Sequence, residues 1–137
     1  ALSGVISDGT TATQIVKAGA GALALNAANA FTGGVQHAGG TLNLGQQASA
    51  NAIVLDAGTI ANGSLTLGQL TANAGTVAAV LTGTGGFTRN GTGILTLSGA
   101  NTFTDGVTVT AGTLAAGSVG AFGANTVTVN GGTLDLG

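Results

Sequence analysis

Residues 107–114 read VTVTAGTL, and residues 127–134 read VTVNGGTL. In both, apolar residues alternate with polar ones, a small turn ends in glycine, and a second short apolar stretch follows. Alternation at period two with β-branched residues predicts a strand with one buried face. The Asn, Ala and Gly between the stretches predict a turn. The unit is therefore strand, corner, strand.

The glycine ahead of the second strand shows how often the unit recurs. It stands at Gly21, Gly40, Gly58, Gly75, Gly93, Gly112 and Gly132, at successive intervals of 19, 18, 17, 18, 19 and 20. Val35, Ile53, Leu70, Val107 and Val127 each lie five residues before their glycine. Ile15 and Phe87 lie six before theirs, and those two units carry Lys17 and Arg89. A longer period overlies the short one. Residues 14–45 match residues 86–117 at an offset of 72, and Ile53, Leu55 and Gly58 then meet Val127, Val129 and Gly132 at an offset of 74. The change falls near residues 118–123, where a loop can absorb it.

A hairpin meander would show varied loop lengths. Units of one order and near-constant length instead stack in parallel, one coil each. The expected fold is all-β, a parallel β-solenoid of about seven coils of 17–20 residues, forming a single segment over residues 1–137. At ~4.8 Å per coil it makes a rod of roughly 34 Å. A lone coil buries too few apolar side chains to offset the entropy of ordering its backbone, so each coil needs its neighbours. Leu23, Leu42, Ile60, Val77, Leu95, Leu114 and Leu134 are assigned to one inward ladder. Ile15, Val35, Ile53, Leu70, Phe87, Val107 and Val127 form a second. Asp56, Asn73, Thr110 and Asn130 lie two residues before the glycine and are expected to shape the turn by bonding their own backbone. Asn51 and Asn125, seven before it, form a similar corner.

Composition narrows the function classes. The 137 residues include 27 Gly, 4% charged residues, 4 Phe, and no Pro, Cys, Met, Trp or Tyr. Without Cys there is no disulfide scaffold, zinc ribbon or thiol chemistry. A net charge of −2 with two basic residues lacks the footprint that nucleic acid needs, so no nucleic-acid partner is expected. A mean hydropathy of +0.53 is unlike a disordered tail. No run approaches 18 apolar residues, so no membrane insertion by this segment is expected. The opening Ala-Leu-Ser-Gly has no basic or apolar leader signature, and the segment reads as a piece excised from something longer.

Two stretches resemble a known repeat. Residues 17–34 read KAGAGALALNAANAFTGG, and residues 89–106 read RNGTGILTLSGANTFTDG. Both resemble the passenger-associated repeat of type V autotransporters, K-x-G-x-G-x-L-x-L-x-G-x-N-x-Y-x-G followed by V-x-x-G-T-L. Here Phe31 and Phe103 stand for Tyr, Ala27 for Gly and Arg89 for Lys. The resemblance implies a right-handed parallel β-helix in a secreted or surface-displayed passenger of a Gram-negative bacterium. Passengers of that kind leave through a C-terminal outer-membrane barrel, and their repeat serves structure and secretion.

Little in the sequence points to chemistry. Asp8, Asp56, Asp105 and Asp135 fall at different places on the coil, so no paired-carboxylate dyad of the glycosidase type is expected. No catalytic, cofactor-binding or metal residues are assigned, and no cofactor. Lys17 and Arg89 occupy one place four coils apart and read as solvated corner charges, with a site for polar partner groups as the alternative. His37 stands where Val109 stands in the second long repeat. It reads as an inward or half-covered histidine satisfied by neighbours, since no second His or Cys completes a metal site. No phosphate-binding G-x-x-x-x-G-K occurs. Thr66, Thr96, Thr108 and Thr128 fall on outward positions. An ice-binding face would need a Thr-x-Thr ladder in every coil, and His37, Leu55 and Ala72 are read as interrupting it. The threonines then read as polar strand formers.

The expected function is a non-catalytic stalk or adhesive scaffold of a surface passenger. The alternative is a self-assembling extracellular fibre stacked head to tail. Partners would be host or cell-surface contacts, or further copies at the solenoid ends near Val5 and Leu134.

Overall fold

The structure is a computed structural model that describes residues 3–45 and 48–137. Among the described residues there are strands, turns and extended segments but no helix. Two parallel sheets run the length of the molecule. One contains Ile15–Lys17, Val35–His37, Ala48–Leu55, Ser64–Ala72, Phe87–Arg89, Val107–Val109 and Val127–Val129 in that spatial order. The other contains Ala22–Ala24, Thr41–Asn43, Thr59–Ala61, Gly75–Val77, Ile94–Leu97, Thr113–Ala116 and Thr133–Asp135. Sequence order and spatial order agree in both. Each coil therefore lies on the one before it, and the expected β-solenoid is what forms. It makes about six turns rather than seven, because seven rungs enclose six intervals.

The register of the first sheet matches the predicted ladder at every rung: Ile15, Val35, Ile53, Leu70, Phe87, Val107 and Val127 stack in one column. The second ladder holds from Leu23 through Leu42 and Ile60 to Val77, and again from Leu95 through Leu114 to Leu134. It breaks between these runs. Val77 pairs with Leu97, and Leu95 lies opposite Gly75. This slip of two residues corrects the predicted column. Because side chains alternate, a two-residue slip leaves Leu95 and Leu97 both inward, and both are buried.

A third side of the prism was not foreseen. Residues 48–50 pair with 65–67, and residues 64–66 with Val80–Thr82. In the flanking coils extended chain takes this place. Ser7 bridges Ala30, and the amides of Thr102 and Thr104 donate to Leu81 O and Gly83 O at 2.8 and 3.1 Å. Phe31, Leu65, Leu67, Leu81 and Phe103 fill the core from this side. Phe103 meets Phe87 edge to face, with ring centroids 6.1 Å apart, a favoured aromatic geometry.

The glycines form the expected vertical column on either side of the slip. The amide after each donates down the column: Thr59 N to Gly40 O at 2.9 Å, Thr76 N to Gly58 O at 2.9 Å, Thr133 N to Gly112 O at 2.8 Å. Gly58 shows why no other residue fits. Its φ is +92°, and a Cβ there would stand 2.5 Å from Gly40 O. Only glycine takes that backbone at no steric cost.

Candidate functional site: buried polar corners and polar outer faces

Period two places Lys17 in phase with Ile15 and Arg89 in phase with Phe87, so both side chains turn inward. Lys17 is 7% exposed and Arg89 is 0% exposed. The expectation of solvated charges is overturned, because strand parity outweighs the preference of a cation for water once the head group finds acceptors. Lys17 Nζ donates to Gly19 O at 2.7 Å, Gly39 O at 2.8 Å and Ala18 O at 3.1 Å. Arg89 reaches three rungs. Nη1 donates to Ala72 O at 2.8 Å, Nη2 to Gly93 O, and Nε to Thr113 O at 3.4 Å. Burial draws the Arg89 pKa below its ordinary value, yet a guanidinium stays charged in a protein.

Two buried asparagines, 5% exposed each, do the same for the third side. Asn101 Oδ1 accepts from Leu81 N at 2.8 Å, and its Nδ2 donates to Ala121 O at 2.5 Å, so one side chain joins the rungs on either side of it. Asn29 accepts from Ile6 N at 2.8 Å and donates to Ala27 O at 2.7 Å. The residues missed in the sequence are these two, and the signal for them was the motif itself: Asn recurs beside Phe at a fixed distance from the cation. Asn101→Ala would leave two buried backbone groups unpartnered. It is expected to cost about 2–4 kcal/mol, read from urea unfolding midpoints.

His37 is inward, as expected, and 0% exposed. It is not satisfied by its neighbours: neither ring nitrogen has a hydrogen-bond partner. It sits one rung from Lys17, between Lys17 and Leu55. Burial first, then the Lys17 charge, holds its pKa below the ordinary 6.5. The folded state thus resists a proton that the unfolded chain accepts, so stability is lost as pH falls below 6.5. The melting temperature is expected to drop between about pH 7 and about pH 5. His37→Val should flatten that dependence; a parallel decline in the variant would assign it elsewhere.

The acids are scattered. Asp8 accepts from Thr13 N at 2.7 Å and from the amide and hydroxyl of Thr32, which lowers its pKa. Asp56 accepts from Asn73 Nδ2 of the next rung at 2.7 Å, and Thr110 Oγ1 donates to Arg89 O. Asp56, Asn73 and Thr110 thus bond the neighbouring rung rather than their own backbone. Asn125 Nδ2 donates both to Phe103 O of the neighbouring rung at 2.5 Å and to Phe122 O of its own turn at 3.2 Å; the side chain of Asn51 lies outside what the structure describes. Asp105 and Asp135 are exposed. Among the described residues no three of His, Cys, Asp and Glu gather as a metal site, and no helix is long and apolar enough to cross a membrane.

Outside, threonines stack. Thr71, Thr88, Thr108 and Thr128 share one column, and Thr41, Thr59, Thr76 and Thr96 another. His37, Leu55 and Ala72 do not interrupt the rows, because all three point inward. Val16, Gln36 and Val54 end the first column instead.

The repeated corner also appears in known proteins. The family model described as passenger-associated-transport-repeat matches residues 15–44 and 87–116, the two stretches that hold the buried cation, asparagine and phenylalanine. The adhesin BmaC autotransporter of Brucella suis biovar 1 (strain 1330) is 43% identical over 93 residues, which is 62% of this chain and 3% of that protein. The chain thus spans a small fraction of the relative it matches. No solved structure matches it. The chain thus carries the passenger-associated-transport-repeat twice within one solenoid and is similar over 93 residues to an autotransporter adhesin, a likeness that supports a cell-surface or secreted location in a Gram-negative bacterium.

Proposed function

We propose that this segment is a non-catalytic stalk and adhesive scaffold within its passenger. The observation that carries the reading is the unbroken parallel pairing from Ile15 to Asp135. Every rung is bonded to the next, so the rod resists bending. Its outer rows of Thr are neutral and suit contact with polar surfaces over a broad side. The scattering of the four acids supports a role without hydrolytic chemistry. Display of the passenger with and without this segment on a bacterial surface tests it. Cells lacking the segment should be displayed equally but bind host cells or matrix less. Cleavage of a polysaccharide that Asp56→Ala or Asp105→Ala abolishes would overturn the reading in favour of an enzyme.

A second reading is a self-stacking fibre. Among the described residues, the outer edges of the first and last rungs carry no paired strand, and Val5 and Leu136 are 66% and 69% exposed. Filaments growing with protein concentration would favour it; a concentration-independent monomer in light scattering would reject it.

A further inference from the structure

The register slip and the buried arginine fall in the same corner. From Ala72 to Gly75 the chain takes three residues. The corner stacked on it, from Arg89 to Leu95, takes six, although both ends are paired: Arg89 on Ala72, Leu95 on Gly75. The second corner therefore carries three surplus residues. The Arg89 head lies against that surplus. It donates to Ala72 O below, to Gly93 O within the corner and to Thr113 O above. A Cβ on Gly91 would stand 2.5 Å from Nη1, and one on Gly112 2.7 Å from Nη2, so the loop is wrapped closely around the guanidinium.

A competing register exists. With the glycines aligned, Leu95 would lie on Val77 and Leu97 on Ala79, leaving one surplus residue instead of three. Both registers keep the leucines inward, so the alternation of apolar and polar residues does not separate them. The glycine column, continuous elsewhere, favours the competitor. What the observed register has in addition is the arginine clamp, which in low-dielectric surroundings must find acceptors for its donors.

We propose that Arg89 is a positioning residue that selects the register of its coil, holding Leu97 rather than Leu95 on Val77. Lys17, caged by Ala18, Gly19 and Gly39 carbonyls, fills the equivalent corner 72 residues earlier, so each long repeat carries one buried cation.

The chain has no Cys, so engineered pairs can report the register. Thr76, Thr96 and Ile94 all point outward on the second sheet. Directly paired positions in adjacent strands fall within disulfide reach, and positions two residues further along do not bridge readily. With Arg89 present, the pair Thr76→Cys with Thr96→Cys should oxidise within the folded chain, and Thr76→Cys with Ile94→Cys should not. Arg89→Met keeps the stem and removes the donors. In that background the second pair is expected to gain at least about tenfold in cross-linked yield at the expense of the first. Arg89→Lys, which keeps a cation able to donate to corner carbonyls as Lys17 does, should restore the original preference. A folded Arg89→Met chain that cross-links only Thr76 with Thr96 would overturn the proposal. If Arg89→Met leaves no folded protein, the pairs are read during refolding of Arg89→Gln: a slipped cross-link supports register selection, and its absence reduces Arg89 to a plain structural contact.

Discussion

Leu95→Asp is expected to abolish the cooperative thermal transition of the chain. Leu95 is fully buried, stacked on Leu114. Its removal forfeits roughly 1.5–3 kcal/mol of apolar burial. The carboxylate put in its place has no cation to meet, because the Arg89 donors are already committed to Ala72, Gly93 and Thr113. An unpaired buried charge costs several kcal/mol more, which together exceeds the margin of a small domain. Circular dichroism melting reads the outcome. A transition within a few degrees of the parent would mean that Leu95 does not face the core.

Gly58→Ala is the second large effect. A β-carbon there meets Gly40 O at 2.5 Å and His37 Nε2 at 2.8 Å, on a backbone with φ +92°. The dihedral strain alone is of order 1–3 kcal/mol, and the clash with a backbone carbonyl adds to it, because the rung below cannot retreat without breaking its own ladder. Gly21→Ala is the control. Gly21 heads the same column but has open space around it and no left-handed φ. It should change stability by less than about 0.5 kcal/mol. Equal losses at the two positions would remove close stacking as the cause.

Much of this was legible in the residues because each rung repeats one simple rule. Val107-Thr-Val109 and Val127-Thr-Val129 declare their inward and outward sides directly, and the first ladder follows without error. The third side was hidden because its residues in most coils are Ala, Asn and Thr with Phe at intervals, which show no clean alternation. The register slip was hidden for a different reason. Glycine spacing measures chain length between corners, whereas register depends on how much of that length a corner stores, and Arg89 lets its corner store three extra residues. Lys17 and Arg89 were misplaced because charge was given more weight than parity. Ile15-Val-Lys17 has the same phase as Val35-Gln-His37, and the inward place of the lysine follows from that comparison alone.

Parallel stacking over the whole rod is tested most directly by one distance. Spin labels on cysteines introduced at Val16 and Thr128, outward residues of the first and last rungs of one column, should stand six intervals apart, about 29 Å at ~4.8 Å each, with a narrow distribution. A mean separation below about 20 Å, or a broad spread, would contradict coils laid one upon another in register.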